Sequence, residues 1–369
     1  MENLGLKKKK IFNDIYRGKR VIITGDTGFK GSWLAIWLLE MGAEVYGYAL
    51  PPKTEKDNFV TTNLSSKITH ENGDIRDLGH FSDYFNKVNP EIAFHLAAQP
   101  LVLESYEEPV NTFSTNLMGT VNFFEAVRNS KSVKAAINIT SDKCYQNNEW
   151  VWGYRESDPM GGKDPYSASK GASEIITSSY LSSFFSKEKT PSIASARAGN
   201  VIGGGDWAEN RIVPDFFRAV QKNETLNIRN PKATRPWQHV LEPLSGYLLL
   251  GANLFSEGKS FSGGWNFGPL GDAHHTVESL INKMIQELGH GSYKSVADQE
   301  KLHEAHLLKL DISKAIHFLN WNPTLNFDET VSFTVQGYKN ELDEKNVYES
   351  RVAQIRKFVE LSLKRNNYL

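Results

Sequence analysis

The stretch RVIITGDTGFKGSWLAIWLLEMGAEV, residues 20–45, restricts the possible folds more than any other part of the chain. An apolar run, three glycines (Gly25, Gly28 and Gly31) and a long apolar segment follow one another without a linker. A strand that turns through glycines straight into a helix is the phosphate-cradling corner of a dinucleotide-binding βαβ unit. Gly25 permits the tight turn, Gly28 lets the backbone approach a pyrophosphate, and Gly31 lets helix and strand pack closely. The free N–H groups of the helix start then face the phosphates. Thr27, Phe29 and Lys30 lie in the same loop and are expected to bind the cofactor with it.

The first half of the chain keeps this rhythm. Strand-like runs at 20–24, 44–50, within 68–77, at 91–98 and at 135–141 alternate with helix-like stretches at 31–42, 80–88 and 120–129. That alternation predicts an α/β fold, a doubly wound parallel sheet of Rossmann type, over residues 1–197. Residues 198–369 read as a smaller, mostly helical substrate lobe. A strand–helix pair near Val240–Leu254, in a return segment near 240–268, is expected to rejoin the sheet. A chain of 369 residues suits such a two-lobed architecture.

Composition narrows the function classes. A net charge of −1 leaves no electrostatic footprint for nucleic acid, and no apolar run approaches the roughly 20 residues of a membrane helix. The single cysteine, Cys144, cannot form an internal disulfide and suits a reducing compartment. The lysine run Lys7–Lys10 has no apolar core behind it and reads as a solvated leader, so a cytoplasmic protein is expected.

The ribose side of the cofactor site is less determined. An acidic residue roughly 20 positions after the glycines would bind an NAD ribose, but VYGYALPPK carries none. Lys53 and Lys56 lie just beyond and are candidates for the 2′-phosphate of NADP. Asp74, in GDIRD, reads equally as a partner of the adenine amino group or as a turn former.

YSASK places Tyr166 and Lys170 four residues apart, on one face of a helix. A phenol near pKa 10 is a poor base at neutral pH, and a neighbouring ammonium favours its ionised form. Ser141, ending the fifth strand, can hydrogen-bond the same substrate hydroxyl. The glycine turn, strand-end serine and Tyr-x-x-x-Lys in this order resemble the extended short-chain dehydrogenase/reductase family over most of the chain. A cofactor sensor without turnover would have an incomplete Ser–Tyr–Lys set, and here it is complete. Asp142 and Lys143 follow Ser141 directly. A nucleotide-sugar 4-epimerase or C4 reductase, the alternative reading, has no evident use for them. An enzyme that also eliminates water does.

Within the family, TGDTGFKGSWL, ALPP, HLAAQPLV, TSDKCY, PYSASKG, RAGNVIGGGDW and RPWQHV are similar to the CDP-glucose 4,6-dehydratase branch. Related dTDP-glucose enzymes carry Glu where Lys143 stands. Asp26 departs from the branch, which carries His there; facing the phosphate loop, its charge is expected to tune cofactor affinity. The resemblance implies NAD as cofactor, held also by Asp74, Ile75, Leu96, Ala97, Ala98, Asn116, Tyr166 and Lys170. It implies CDP-glucose as substrate, bound by Gln99, Asn200, Arg211, Arg235 and His239, with Arg suited to the diphosphate. Tyr166 would be the C4-hydroxyl base, assisted by Ser141 and Lys170, and Asp142 the acid at C6. Lys143 would be the C5 base, or would steady the developing enolate while Asp142 or a water moves protons. The resemblance further implies a homodimer or dimer of dimers through helices around 104–129 and 167–186, and a lipopolysaccharide O-antigen sugar as the downstream product; no metal site is expected from the residues. His95 reads as a packed structural histidine, Trp237 equally as core or contact, and His274 and His275 lack a metal-ligand partner set.

Overall fold

The computed structural model describes residues 11–270, 275–296, 307–343, 345–366 and 369. The Lys7–Lys10 run and His274 lie outside the described residues. Strands Arg20–Thr24 (β1), Glu44–Ala49 (β2), Thr69–Asn72 (β3), Ile92–His95 (β4), Ala135–Ile139 (β5) and Ser192–Arg197 (β6) form one parallel sheet. A strand at Gly263–Asn266 adds to its edge beside β6, and the order is 263–266, β6, β5, β4, β1, β2, β3. The order reverses between β1 and β4. A parallel doubly wound sheet opens its ligand crevice at such a point, beyond the carboxyl ends of the strands.

The period of two along each strand separates two apolar layers. Val21 and Ile23 of β1 enter one layer with Trp33, Trp37 and Leu38, whereas Ile22 enters the other with Phe81, Phe85 and Phe123. β4 divides likewise, with Ile92 and Phe94 against Ala93. Both faces are covered, so the central strands β1, β4 and β5 are buried almost end to end.

Helix Phe29–Glu40 (α1) starts directly from the glycine turn and is stopped by Gly42 at φ +84°. It is sandwiched between the sheet and the helix Val347–Arg365, with Trp37 and Phe358 meeting edge to face at 5.7 Å. Full burial of a side chain such as Phe358 contributes about 1.5–3 kcal/mol. The last long helix thus lies in the sheet's own core.

A separate core gathers Ile202, Trp207, Val213, Phe216, Phe217, Trp237, Leu280, Met284 and Tyr338. The return segment runs in the opposite order to the expectation: helix Leu241–Ser256 comes first and the strand Gly263–Asn266 second. That strand reads GGWN, with no β-branched residue to announce it. The helix before it is buried on nearly every side and carries no amphipathic signature.

Candidate active site

The glycine turn has the predicted architecture. Gly25 sits at φ +79°, and a β-carbon there would lie 2.7 Å from the Ala97 nitrogen at the end of β4. A β-carbon at Gly31 would lie 2.1 Å from the Gly25 carbonyl oxygen, so helix and turn touch backbone to backbone. Gly28 is exposed, and no side chain caps the start of α1. An uncapped helix N-terminus on a glycine cradle fits the pyrophosphate of a dinucleotide. Thr27 closes the loop by donating to the Leu50 carbonyl at 2.9 Å. Ile75, Leu96, Ala97 and Ala98 follow the carboxyl ends of β3 and β4 around this cradle. Leu96 N–H donates to the Thr24 carbonyl, and Ile75 packs where a side chain on Gly119 would stand.

Asp74 accepts from Arg76 N–H at 2.9 Å and pairs with its guanidinium at 2.5 Å, which is the turn-forming arrangement. Lys53 pairs with Glu104 at 3.6 Å, and Lys56 donates to Gln221 at 2.9 Å over the Trp207 ring. Asp26 corrects an expectation. Its carboxylate turns away from the phosphate loop into the fold, under Gly47 of β2, and Oδ2 lies 2.7 Å from His70 Nδ1. Burial there raises its carboxyl, against the opposing pull of His70.

The residues expected to act on the substrate assemble at the end of β5. Asp164 caps helix Pro165–Ser183 by accepting from Ser167 N–H at 2.8 Å, with Pro165 in the first turn. This fixes Tyr166 and Lys170 on the buried face. Ser141 caps the short turn Asp142–Cys144, accepts from Lys143 N–H at 3.3 Å and donates to Asp142 Oδ1 at 2.9 Å. Ser141 stands close enough to the Tyr166 phenol to favour its ionised form. Burial pushes the phenol up to about 12; Ser141 and the Arg211 guanidinium lower it, while the Asp142 charge raises it. Lys170 is brought down to about 8 by burial, against the raising charge of Glu174 one turn on. Lys30 is likewise brought down to about 8 by burial, next by the nearby Arg211 charge. Lys143 is half-buried beside them.

Beneath this set lies an ion pair that the sequence did not announce. Glu174 bonds Arg197 at 2.7 Å, Ser195 at 2.6 Å and the Thr140 hydroxyl. Arg197 also donates to the Tyr145 hydroxyl at 2.6 Å, which reaches Asn266 at 2.7 Å. The network ties β5, β6 and the strand 263–266 to the helix that carries Tyr166 and Lys170.

The expected sugar-binding residues fall into two groups. Arg211 pairs with Asp206 at 2.8 Å close to Tyr166 and Lys30. Asn200 stands at φ +52° in the turn after β6, its carbonyl accepting from Gln238 N–H. Arg235 lies in the short strand Thr234–Arg235, with one guanidinium nitrogen on the Thr234 carbonyl. His239 is the second correction. It is fully buried between Trp33 and Phe333, accepts from Leu241 N–H, and is brought down to about 3 by burial. Its neighbour Gln238 borders a small pocket with Asp142, Gly199, Pro236 and Lys309, its amide nitrogen donating to the Gly199 and Phe267 carbonyls. Gln99 is the third. Its amide is taken up by Leu101 and Thr112, folding the loop after β4. The Asn116 amide links that loop to Ser169.

His95 is structural, stacked on Phe123 and 2.7 Å from the Thr24 hydroxyl. Trp237 belongs to the second core. His275 stacks on Phe327, and no cluster of metal-ligating side chains occurs among the described residues. None of the described helices is long and apolar enough to cross a membrane.

A family model described as GDP-mannose 4,6 dehydratase matches residues 22–334. CDP-glucose 4,6-dehydratase of Salmonella typhimurium is 50% identical over 333 residues, 89% of this chain and 93% of that protein. dTDP-glucose 4,6-dehydratase of Streptomyces venezuelae, solved with NAD and TYD bound, superposes with a TM-score of 0.75 at 22% identity, covering 89% of this chain and 99% of that one. UDP-glucose-4-epimerase of Stenotrophomonas maltophila, solved with NAD and formylated UDP-arabinopyranose, gives 0.76 at 18% identity, covering 88% and 99%. The last two likenesses concern the fold.

Proposed function

The chain belongs to the GDP-mannose 4,6-dehydratase family, and we propose that it removes water from CDP-glucose, with NAD, to give CDP-4-dehydro-6-deoxyglucose. One observation carries the reading: two ionisable side chains, Asp142 and Lys143, stand directly beside the Ser141–Tyr166 pair. An epimerase gives them nothing to do. The identity of 50% to a CDP-glucose enzyme supports the choice of nucleotide.

NAD held on the glycine cradle would supply the hydride acceptor for oxidation at C4 and the hydride donor for C6. Gly25, Thr27, Gly28, Phe29, Lys30 and Gly31 would hold its pyrophosphate, and Asp74 and Ile75 its adenine end. Leu96, Ala97, Ala98 and Asn116 would line its middle, and Lys170 its second ribose. Tyr166 takes the proton of the C4 hydroxyl while Ser141 orients that oxygen. Lys170, still mostly protonated at neutral pH, favours the phenolate that this transfer needs. The C4 ketone makes the C5 proton acidic. Lys143 removes that proton, or holds the charge that develops on the C4 oxygen. Asp142 protonates the C6 oxygen, the C6–O bond breaks, and water leaves. A proton returned to C5 completes the product, with no net change in cofactor redox state.

Arg211, Arg235 and Asn200 are the proposed contacts of the nucleotide diphosphate and sugar, on the lobe built around Ile202, Trp207 and Tyr338. A homodimer is part of the proposal. Val110, Phe113 and Met118 before helix Gly119–Asn129, and Ile175 on helix Pro165–Ser183, are exposed apolar side chains on the two segments where such dimers form. A cytoplasmic enzyme supplying a lipopolysaccharide O-antigen sugar agrees with the free, buried Cys144 and with this substrate.

The test is incubation of the purified protein with CDP-, dTDP-, UDP- and GDP-glucose separately, without added cofactor, followed by mass spectrometry. Loss of one water from CDP-glucose alone, with no reduced nicotinamide released, is expected. A product of unchanged mass would make the protein an epimerase.

A further inference from the structure

Gly199, in the turn after β6, has a backbone that does not call for glycine: it is not in the left-handed region. What excludes a side chain is Asp142. A β-carbon at 199 would lie 1.9 Å from Asp142 Oδ2, 2.1 Å from its Cγ and 2.4 Å from Oδ1, and these are its three nearest atoms. The carboxyl group occupies the space in which a side chain would stand.

A methyl group at 199 would therefore have to push the carboxyl out of this place, although each partner is held on its other side. Oδ1 accepts from the Ser141 hydroxyl at 2.9 Å, and the Gly199 carbonyl accepts from Gln238 Nε2 at 2.9 Å. Gln238 is also held by the Phe267 carbonyl at 3.3 Å. Asp142 and Gly199 line the same small pocket with Gln238 and Lys309. One oxygen is therefore held toward Ser141, and the other lies buried against Gly199 without a hydrogen-bond partner.

We infer that Gly199 is a positioning residue for the elimination step: its missing side chain lets the Asp142 carboxyl stand where the C6 oxygen departs. The inference rests on the dehydratase reading above. In that step the proton on Asp142 passes to the C6 oxygen, the C6–O bond breaks to release water, and the C5 proton goes to the base, leaving a C5=C6 double bond. C4 oxidation uses Ser141, Tyr166 and Lys170 and does not need the Asp142 carboxyl in that place. A methyl group at 199 should thus separate the two halves of the reaction.

The experiment compares the holoenzyme with Gly199→Ala, Asp142→Ala and the double variant, on CDP-glucose. Three readouts are followed: dehydrated product, nicotinamide absorbance after mixing, and solvent deuterium uptake at C5. For Gly199→Ala, dehydration falls about 100-fold, within the range of a lost general acid. Reduced nicotinamide accumulates toward one per site and deuterium uptake at C5 persists, neither of which a general loss of structure produces. In the Asp142→Ala background, Gly199→Ala has no further effect, because the atoms it strikes are gone. The double variant folds even where Gly199→Ala alone does not, for the same reason. Wild-type dehydration by Gly199→Ala overturns the inference. So does equal loss of oxidation and dehydration, multiplying losses in the double variant, or a double variant that fails to fold. A wild-type enzyme that leaves CDP-glucose intact overturns the dehydratase reading and the inference with it.

Discussion

Asp26 and His70 are 44 residues apart, yet they meet at 2.7 Å under the second strand of the sheet. Burial raises the Asp26 carboxyl, and His70 opposes that rise without cancelling it. Burial pulls His70 down, but the bond and charge of Asp26, with Asn72 and Glu71, outweigh it and the net direction is up. Both groups therefore hold a proton more tightly in the fold than in the unfolded chain. Their contribution to stability is full below the unfolded pKa values and is lost as pH rises through the folded ones. Thermal melts from about pH 4, the ordinary carboxyl value, upward through the ordinary histidine value of about 6.5 and beyond should show this fall. In Asp26→Asn the fall should flatten, and a fall of the same size would contradict the pairing. The sequence offered no sign of the contact, because it depends on the register of β2 against β3 and on no local pattern. The same holds for Glu174 and Arg197, which read as an unremarked helix residue and a strand end. Ser141, Tyr166 and Lys170 were legible for the opposite reason: two of them share one helix turn, and the third ends a strand whose length the apolar run marks.

The strand–turn–helix unit from Arg20 to Glu40 was readable because its spacing constraints are local, apart from the helix bounds, expected at 31–42 and found at Phe29–Glu40, and the inward turn of Asp26. Gly31 gives the most direct check. A β-carbon there meets the Gly25 carbonyl oxygen at 2.1 Å, and backbone on both sides leaves little room to relax. Gly31→Ala should cost about 1–3 kcal/mol, as overpacking does, and should strip bound NAD from the purified protein. Calorimetry and the nicotinamide content per chain measure the two effects, and an alanine variant with full cofactor content would contradict the close approach. Shorter elements were harder to read. In the two-residue strand Gln238–His239 the sequence does not reveal that both side chains are buried, Gln238 against the Gly199 and Phe267 carbonyls and His239 between Trp33 and Phe333. The loop after β4 misled similarly: Gln99 is polar near the site, but its amide is spent on Leu101 and Thr112.

Taken as a molecule, the chain places the cofactor cradle, the Ser141–Tyr166 pair and the small pocket at the carboxyl edge of one sheet, with the second core alongside. The helix Val347–Arg365 returns to brace α1 from outside, so the last residues of the chain support the first βαβ unit. Lobe boundaries were readable only coarsely, because packing of sequence-distant helices leaves no mark at the point where the chain changes partner. The proposed dimer surface is a property of this scale too. Val110→Glu combined with Ile175→Glu should give a monomer by sedimentation, since two charges would have to be buried in an apolar contact. A dimer of undiminished strength would place the interface elsewhere. The central claim, a hydride that leaves C4 and comes back at C6 around an elimination, is tested most directly with CDP-glucose carrying deuterium at C4. The account predicts a dehydrated product with that deuterium at C6 and a solvent-derived hydrogen at C5. Deuterium retained at C4 of an isomer, or lost to released nicotinamide, would contradict it.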